Sequence, residues 1–480
     1  MKRLVFCFDG TWNTLEAGRV TNVGIVAQSV ASTSPDGTKQ VVYYDEGVGN
    51  ARYGAGWITR TIEKVFGGAF GHGLLANLVE AYEFLIFNYE PGDEVIVFGF
   101  SRGAFSARSF VGLLRASGVP RRSRVERVPD AIENYRTLDP RKEGDEAKLR
   151  AFRYEHGPAV YVDDDEQAWR ASNFPDYDPD GAARLQVRYL GVWDTVGALG
   201  VPNQLPGLAA IFNTKYAFHD CSLDPFVTAA RHAVAIDERK RTFEPSLWDN
   251  VGEMNARCGS DSDRYQQLWF PGTHGSVGGG GRVRGLSDGA LAWVLRGAQE
   301  EGLAIDRDGA AELYALRPRL AAPLENVDPD AKRTFIGWVV DLLPKRDRTP
   351  GPNSLEEVSD AARYRWAASP DLLPEKKAYR PVTLAALSGP LDAFAASEAA
   401  RTDREIEDEA AEVYIVRRGD SLSGICAERY GKASLWPALF EINKPAVMNP
   451  DEIYVGQELR VPSEEVIREV ADRLKQASAS

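Results

Sequence analysis

Three neighbouring stretches constrain this chain more than any other feature: Val95-Ile96-Val97-Phe98, Gly99-Phe100-Ser101-Arg102-Gly103 and Ala104-Phe105-Ser106-Ala107. The first reads as a buried strand and the last as the start of a helix. A tight turn between them holds Ser101 in a strained backbone conformation, with its hydroxyl exposed at the end of a sheet. The flanking glycines are required because side chains there would collide with the strand and the helix. Gly-x-Ser-x-Gly also arises by chance, so the bland alternative is a turn serine without chemistry. The strand before it and the helix after it favour a nucleophile.

The surrounding pattern predicts an α/β architecture. Residues 4–8, 41–44 and 94–98 read as strands. Leu74, Leu75, Leu78, Val79, Tyr82, Leu85 and Ile86 recur at helical spacing, and residues 104–114 continue as a helix. Strands alternating with helices imply a mostly parallel sheet with helices on both faces. Residues 121–186 change character, with Arg121-Arg122-Ser123-Arg124 and Asp163-Asp164-Asp165. They are expected to form an insertion over the sheet's end, as a lid or, in preference, a solvated surface excursion. The core resumes with a strand at 187–193, a helix at about 225–237, a strand at 267–270 and an amphipathic helix at 286–300. Residues 305–395 carry only weak signals. The polar stretch 396–411 reads as a linker, which makes 1–395 one domain, 412–463 a second and 464–480 a terminal helix or tail.

Composition narrows the function. With 480 residues and 44% hydrophobic residues, the chain builds a large core. Its net charge of −13 argues against nucleic-acid binding, because an acidic surface repels phosphates. The cysteines at 7, 221, 258 and 426 form no CxxC pair, so neither a zinc site nor a disulfide framework is expected. The apolar run after Met1 is broken at Asp9 and resembles no export signal. No stretch approaches the roughly 18 apolar residues of a membrane span. Synthesis in the cytoplasm is therefore expected, with any export using a route that reads no such signal.

A serine hydroxyl needs a base within hydrogen-bond reach, and the base needs a partner to hold its tautomer. There are five histidines, His72, His156, His219, His232 and His274. His274 follows the strand Leu268-Trp269-Phe270 and opens the loop Gly275-Ser276-Val277-Gly278-Gly279-Gly280-Gly281. A base serving both nucleophile and leaving group suits a strand end, so His274 is preferred over His219 and His232. His232, in an expected helix, reads as a packing residue or a neighbour of the site. Asp194 ends the strand at 187–193, at the sheet edge where open α/β sheets place their sites. Asp220, Asp224 and Asp237 are the alternatives. The oxyanion hole would use the backbone N–H of Arg102, aided by the helix dipole, with Gly10 or Thr11 after the first strand. The glycine run lacks the Lys-Ser/Thr of a P-loop, so nucleotide binding is not expected. Neither a metal nor an organic cofactor is expected.

Five stretches carry a family resemblance. They are Phe8-Asp9-Gly10-Thr11-Trp12-Asn13, Tyr44-Asp45-Glu46-Gly47-Val48-Gly49, Gly99 to Ala104, Gly191-Val192-Trp193-Asp194-Thr195-Val196-Gly197, and Phe270-Pro271-Gly272-Thr273-His274 with Val277-Gly278-Gly279-Gly280. They resemble, in family order, the hydrolase family that includes the type VI secretion phospholipase effectors of the Tle class. The resemblance implies an α/β-hydrolase fold, a Ser101-Asp194-His274 triad and lipid ester hydrolysis. One departure stands out: the family usually reads His-Ser-Asp-Val-Gly-Gly-Gly, and here Gly275-Ser276 follows His274.

Residues 413–462 read as strand, helix, helix, strand and resemble a LysM module. The resemblance implies binding of N-acetylglucosamine glycans such as peptidoglycan. Gly419, Asp420, Ser421 and Leu422, with Asn449, Pro450 and Ile453, match the two loops lining the family's groove. The Trp436-Pro437 subtype leaves docking of a protein partner, such as a secretion-apparatus component, as the alternative. The combined expectation is a serine hydrolase of lipid or other esters, with peripheral membrane contact and delivery to the periplasm or a target cell. The alternatives are a housekeeping intracellular esterase and a non-catalytic glycan-binding scaffold.

Overall fold

Leu4, Phe6 and Phe8 pack on one face of the first strand and Val5 and Cys7 on the other, so this strand is buried on both sides. A strand with two apolar faces belongs in the middle of a parallel sheet covered by helices. The computed structural model describes residues 1–10, 19–47, 72–197, 222–259, 262–306, 316, 318–325, 345–405, 412–417, 419–444, 447, 450–451, 453 and 457–477. Its first part runs β1 (Lys2–Phe8), α1 (Asn22–Ser29), β2 (Lys39–Asp45), α2 (His72–Asn88), β3 (Glu94–Phe100) and α3 (Arg102–Ser117). Next come α4 (Val128–Thr137), α5 (Glu143–His156), α6 (Asp164–Asn173), β4 (Gln186–Trp193) and β5 (Val227–Ala235). They are followed by α7 (Val251–Cys258), β6 (Tyr265–Phe270), α8 (His274–Gly278) and α9 (Gly285–Glu300). The six strands of this main sheet pair in parallel, in the order β2-β1-β3-β4-β5-β6. Residues of α2 and α3 cover one face, and those of α1 and α9 cover the other.

The chain leaves β1 for β2 on one side and reaches β3 on the other. Open α/β sheets bind ligands at such a switch, outside the carboxyl ends of the strands. Asp9 follows β1 and Ser101 follows β3, so both lie at that edge.

Two expectations need correction. Residues 225–237, expected to be helical, contain β5, whose residues 229–235 are all buried. A strand covered on both faces loses the alternation that marks a half-exposed one, and its alanines mimic a helical run. Residues 121–186, expected as an insertion, a lid or in preference a solvated surface excursion, contribute to the core rather than standing in solvent. Val128, Ala131, Ile132 and Leu149 join the core that α3 packs into. Arg153 donates to the carbonyls of Arg115 and Ala116, at the end of α3 remote from Ser101. At 1.5 Å per residue, that end is about 20 Å from the serine.

The insertion is held by buried charge. Glu166, fully buried, accepts from Arg153 Nε at 2.9 Å and Arg170 Nη2 at 2.6 Å, and from the Val162 amide at 3.1 Å. Removing one member strands the others in a poorly solvating interior. Glu166→Gln is therefore expected to cost about 3–5 kcal/mol. A lowered denaturant midpoint in a urea titration checks this; a midpoint equal to that of the parent protein would sink it.

The weakly patterned region also has a place. Val358, Trp366, Leu373, Tyr379, Leu384 and Leu391 pack with Val234, Ile236 and Trp269 at the β5–β6 edge. Here α10 (Asp360–Ala367) and 3₁₀ turns alternate, which explains the absence of a long period. Helix α11 (Ser388–Glu405) runs into the stretch read as a linker, as its alanines favour. The C-terminal module has the expected order: β7 (Glu412–Ile415), α12 (Leu422–Tyr430), α13 (Trp436–Ile442) and β8 (Glu458–Val461), with β7 and β8 antiparallel. Helix α14 (Glu464–Ala477) follows, and its Ile467 and Val470 are buried in the module's core. Among the described residues, no helix is long and apolar enough to cross a membrane.

Candidate active site

Ser101 sits between β3 and α3 with φ 59° and ψ −124°, a left-handed conformation unusual for a residue with a side chain. Two residues away on either side, Gly99 and Gly103 must be glycine. A Cβ at Gly99 would lie 2.6 Å from the Gly103 carbonyl oxygen, and one at Gly103 would lie 2.2 Å from that of Phe8. The turn is thus pinned between the helix it starts and the end of β1. The Ser101 amide donates to the Trp193 carbonyl at 3.0 Å, which ties the turn to β4.

Asp194 follows β4 with φ 40° and is fully buried. His274 begins α8, a single helical turn and not the open loop expected from its glycines. The described structure brings the three residues together. His274 Nε2 lies 2.7 Å from Ser101 Oγ, and His274 Nδ1 lies 2.6 Å from Asp194 Oδ2. The His274 amide donates to Glu238 at 3.1 Å, which fixes the ring's backbone. Phe243 stacks on the ring with centroids 4.4 Å apart, and Phe100 lies 4.7 Å away on a tilted plane. The glycines after His274 serve close packing: a Cβ at Gly278 would strike the Phe100 ring, and one at Gly279 would lie 2.8 Å from the Asn22 amide. In place of the family's carboxylate, Ser276 donates to the Leu324 carbonyl at 2.7 Å.

Asp194 has a partner that its local sequence does not announce. Arg348 donates from Nη1 to Oδ1 at 2.6 Å and from Nη2 to Oδ2 at 2.9 Å. The Ala235 amide also donates to Oδ1, at 2.9 Å. Burial alone would raise the Asp194 pKa, but the Arg348 charge and the His274 hydrogen bond hold it well below the usual carboxylate range. The other histidine near the site is neutral. Burial, then the Arg108 charge, push His232 down to about 3. Its Nε2 accepts from the Thr195 amide at 3.2 Å and its Nδ1 donates to Gln267. It thus holds the backbone beside Asp194 from a strand, not a helix.

The oxyanion candidates divide. Arg102 is the first residue of α3, where backbone N–H groups have no intrahelical acceptor. The Gly10 amide donates to the Asp9 carboxylate at 2.6 Å, so in this structure it does not face an oxyanion. That carboxylate is held in turn by Thr21 and Tyr44. Thr11 lies outside the described residues, as do His219, Asp220 and Asn449. Asp237, a weighed alternative, accepts from the Gly272 amide and the Tyr379 hydroxyl, and burial raises it to about 6. Asp224 accepts from the Phe226 amide in a turn. In the C-terminal module, Asp420 accepts from Tyr414 and from the Arg417 amide, and Ser421 caps α12. Leu422 is buried in the module's core, so its side chain lines no groove. Gly419, at φ 88°, Pro450 and Ile453 remain at or near the surface.

A cleft borders the triad through Phe243 and Arg348, with Lys240, Arg241, Leu247 and Pro350 among its walls. Among the described residues, no group of three or more His, Cys, Asp or Glu side chains is placed to hold a metal ion.

A family model described as the catalytic domain of the Tle1-like phospholipase effectors of type VI secretion systems matches residues 2–297. The chain belongs to this Tle1-like family. A LysM domain model matches residues 414–462. The uncharacterized protein YEL023C of Saccharomyces cerevisiae is 24% identical over 249 residues, which is 51% of this chain and 32% of that protein. The potassium binding protein Kbp of Escherichia coli is 49% identical over 55 residues, 12% of this chain and 37% of its own length. The chain thus spans about a third of the length of these curated relatives. Among solved structures, the Tle1 effector bound to the VgrG spike matches with a TM-score of 0.28 and 17% identity, over 58% of this chain and 51% of that one. An uncharacterized protein from Pseudomonas aeruginosa matches with a TM-score of 0.36 and 15% identity, over 97% and 76%. Ser101, Asp194 and His274 fall inside the segment matched by the Tle1-like model, and Arg348 falls outside it.

Proposed function

We propose that this Tle1-like chain is a serine hydrolase that cleaves carboxylic esters of lipids, with phospholipids as its substrate class. One observation carries the reading: the unbroken hydrogen-bonded line from Ser101 Oγ through the His274 ring to Asp194, at 2.7 and 2.6 Å. Ser101 attacks the ester carbonyl while His274 Nε2 takes its proton. His274 then passes that proton to the leaving alcohol, and water releases the acyl group by the same route in reverse. Asp194 accepts from Nδ1–H and keeps Nε2 free to act as the base. The N–H of Arg102, at the positive end of α3, stabilises the oxyanion. The test is labelling of the full chain by a fluorophosphonate together with release of fatty acid from phospholipid vesicles. Neither occurring would overturn the reading in favour of an idle scaffold.

The LysM module is proposed as the docking element, for peptidoglycan or for a protein of the secretion apparatus, in a chain delivered to the periplasm or a target cell. The family model over residues 414–462 supports this. Co-sedimentation with purified peptidoglycan is expected, and its loss when residues 412–480 are deleted. Sedimentation that survives the deletion would place the contact elsewhere.

A further inference from the structure

We propose that Arg348 is a positioning residue for the reaction: its guanidinium holds Asp194 and the Phe243 wall against His274 and supplies the counter-charge of the buried carboxylate. This rests on the serine-hydrolase reading above.

Four of the five Arg348 N–H groups are used. Nη1 donates to Asp194 Oδ1 and to the Ala235 carbonyl, both at 2.6 Å. Nη2 donates to Asp194 Oδ2 at 2.9 Å and to the Phe243 carbonyl at 2.5 Å. Each acceptor belongs to a different part of the site. Asp194 follows β4, Ala235 ends β5, and Phe243 stacks on the His274 ring. A planar fork makes these bonds simultaneously; an ammonium, with all its donors on one nitrogen, cannot.

The charge matters as much as the shape. Asp194 has no exposed surface, and an ionised carboxylate in such a place is costly without a cation. The other charged and titratable groups around the pair do not supply one. His232 is neutral and bound to Thr195 and Gln267. Arg108 acts on His232 and lies over Trp248. Glu238 accepts from the His274 amide, and Asp237 is engaged by Gly272 and Tyr379. Lys240 lies 5.9 Å from the Phe243 ring centre. Among the described residues, Arg348 is thus the one cation touching the carboxylate. It comes from a segment 154 residues further along the chain, beyond the family-matched 2–297.

A consequence for pH separates this role from simple scaffolding. Removing the cation raises the proton affinity of the Asp194–His274 pair, whichever atom holds the proton. The acid limb of the reaction then moves to higher pH. A purely structural arginine would lower the rate at every pH and leave the limb where it was.

The experiment is the second-order rate of fluorophosphonate labelling of the full chain against pH, normalised to the protein that labels at completion. Arg348→Gln is expected to move the acid limb up by on the order of one pH unit. Its plateau rate is expected to fall by about 10²-fold. Arg348→Lys keeps the charge, so its limb stays with the parent protein while its plateau falls. An unmoved limb in Arg348→Gln overturns the proposal, and so does an undiminished plateau in Arg348→Lys. If Arg348→Gln yields no folded protein, Arg348→Ala, which opens the place to water from the cleft, takes its part against Arg348→Lys: a limb raised in the alanine variant and unmoved in the lysine variant supports the role, and a limb unmoved in both overturns it. Absence of Ser101-dependent labelling in the unsubstituted chain is a different failure, which removes the hydrolase reading itself and this inference with it.

Discussion

Ser101→Ala is expected to lower ester hydrolysis by about 10⁶-fold and to abolish fluorophosphonate labelling. The reason is geometric. Ser101 Oγ is the atom that His274 Nε2 faces at 2.7 Å, so its loss removes the group the base would activate. Alanine fits the strained turn as well as serine does, because the left-handed backbone is imposed by Gly99, Gly103 and the end of β1. The substitution should therefore leave the thermal midpoint nearly unchanged while removing activity. Labelling and fatty-acid release are the two readouts. Persistent labelling of the alanine variant would move the nucleophile elsewhere in the chain.

Asp194→Asn is expected to lower the hydrolysis rate by about 10⁴-fold. An amide in that place presents an N–H group to His274 or to Arg348, both of which need an acceptor. The His274 tautomer is then no longer held with Nε2 free, and one buried donor faces another. The stability effect is separable from the catalytic one. Arg348 is 6% exposed and would keep its charge with no carboxylate beside it. Breaking a buried pair in this way costs about 3–5 kcal/mol. Chemical denaturation measures that part, and labelling of the folded fraction measures the other. A folded variant within tenfold of the parent rate would show that Asp194 does not orient the base.

Short-range signals mark several elements in the sequence. The elbow at Ser101 was legible because a strand, two glycines and a helix lie within a dozen residues. The strands at β1, β3 and β4 were legible because their residues are apolar and bounded by clear breaks. β5 reads as a helix in sequence because burial on both faces erases the alternation that separates the two. The insertion's charges look solvated in sequence, whereas Arg153, Glu166 and Arg170 are buried against one another. Gly10 has the backbone freedom of an oxyanion donor, but its amide is directed at Asp9.

Local backbone chemistry therefore determined the turn that strains Ser101, the alternation that makes a parallel sheet and the positions of Asp194 and His274 at strand ends. Sterics and periodicity act over a few residues, and a chain shows them wherever they occur. Only the tertiary structure decided that these three side chains meet, that Arg153 of the insertion holds the end of α3 about 20 Å from the serine, and that Arg348 reaches back to Asp194. Such pairings join residues 80 to 173 positions apart. They depend on which strands are neighbours and on how a buried charge finds its counter-charge, and neither is written in the residues flanking it.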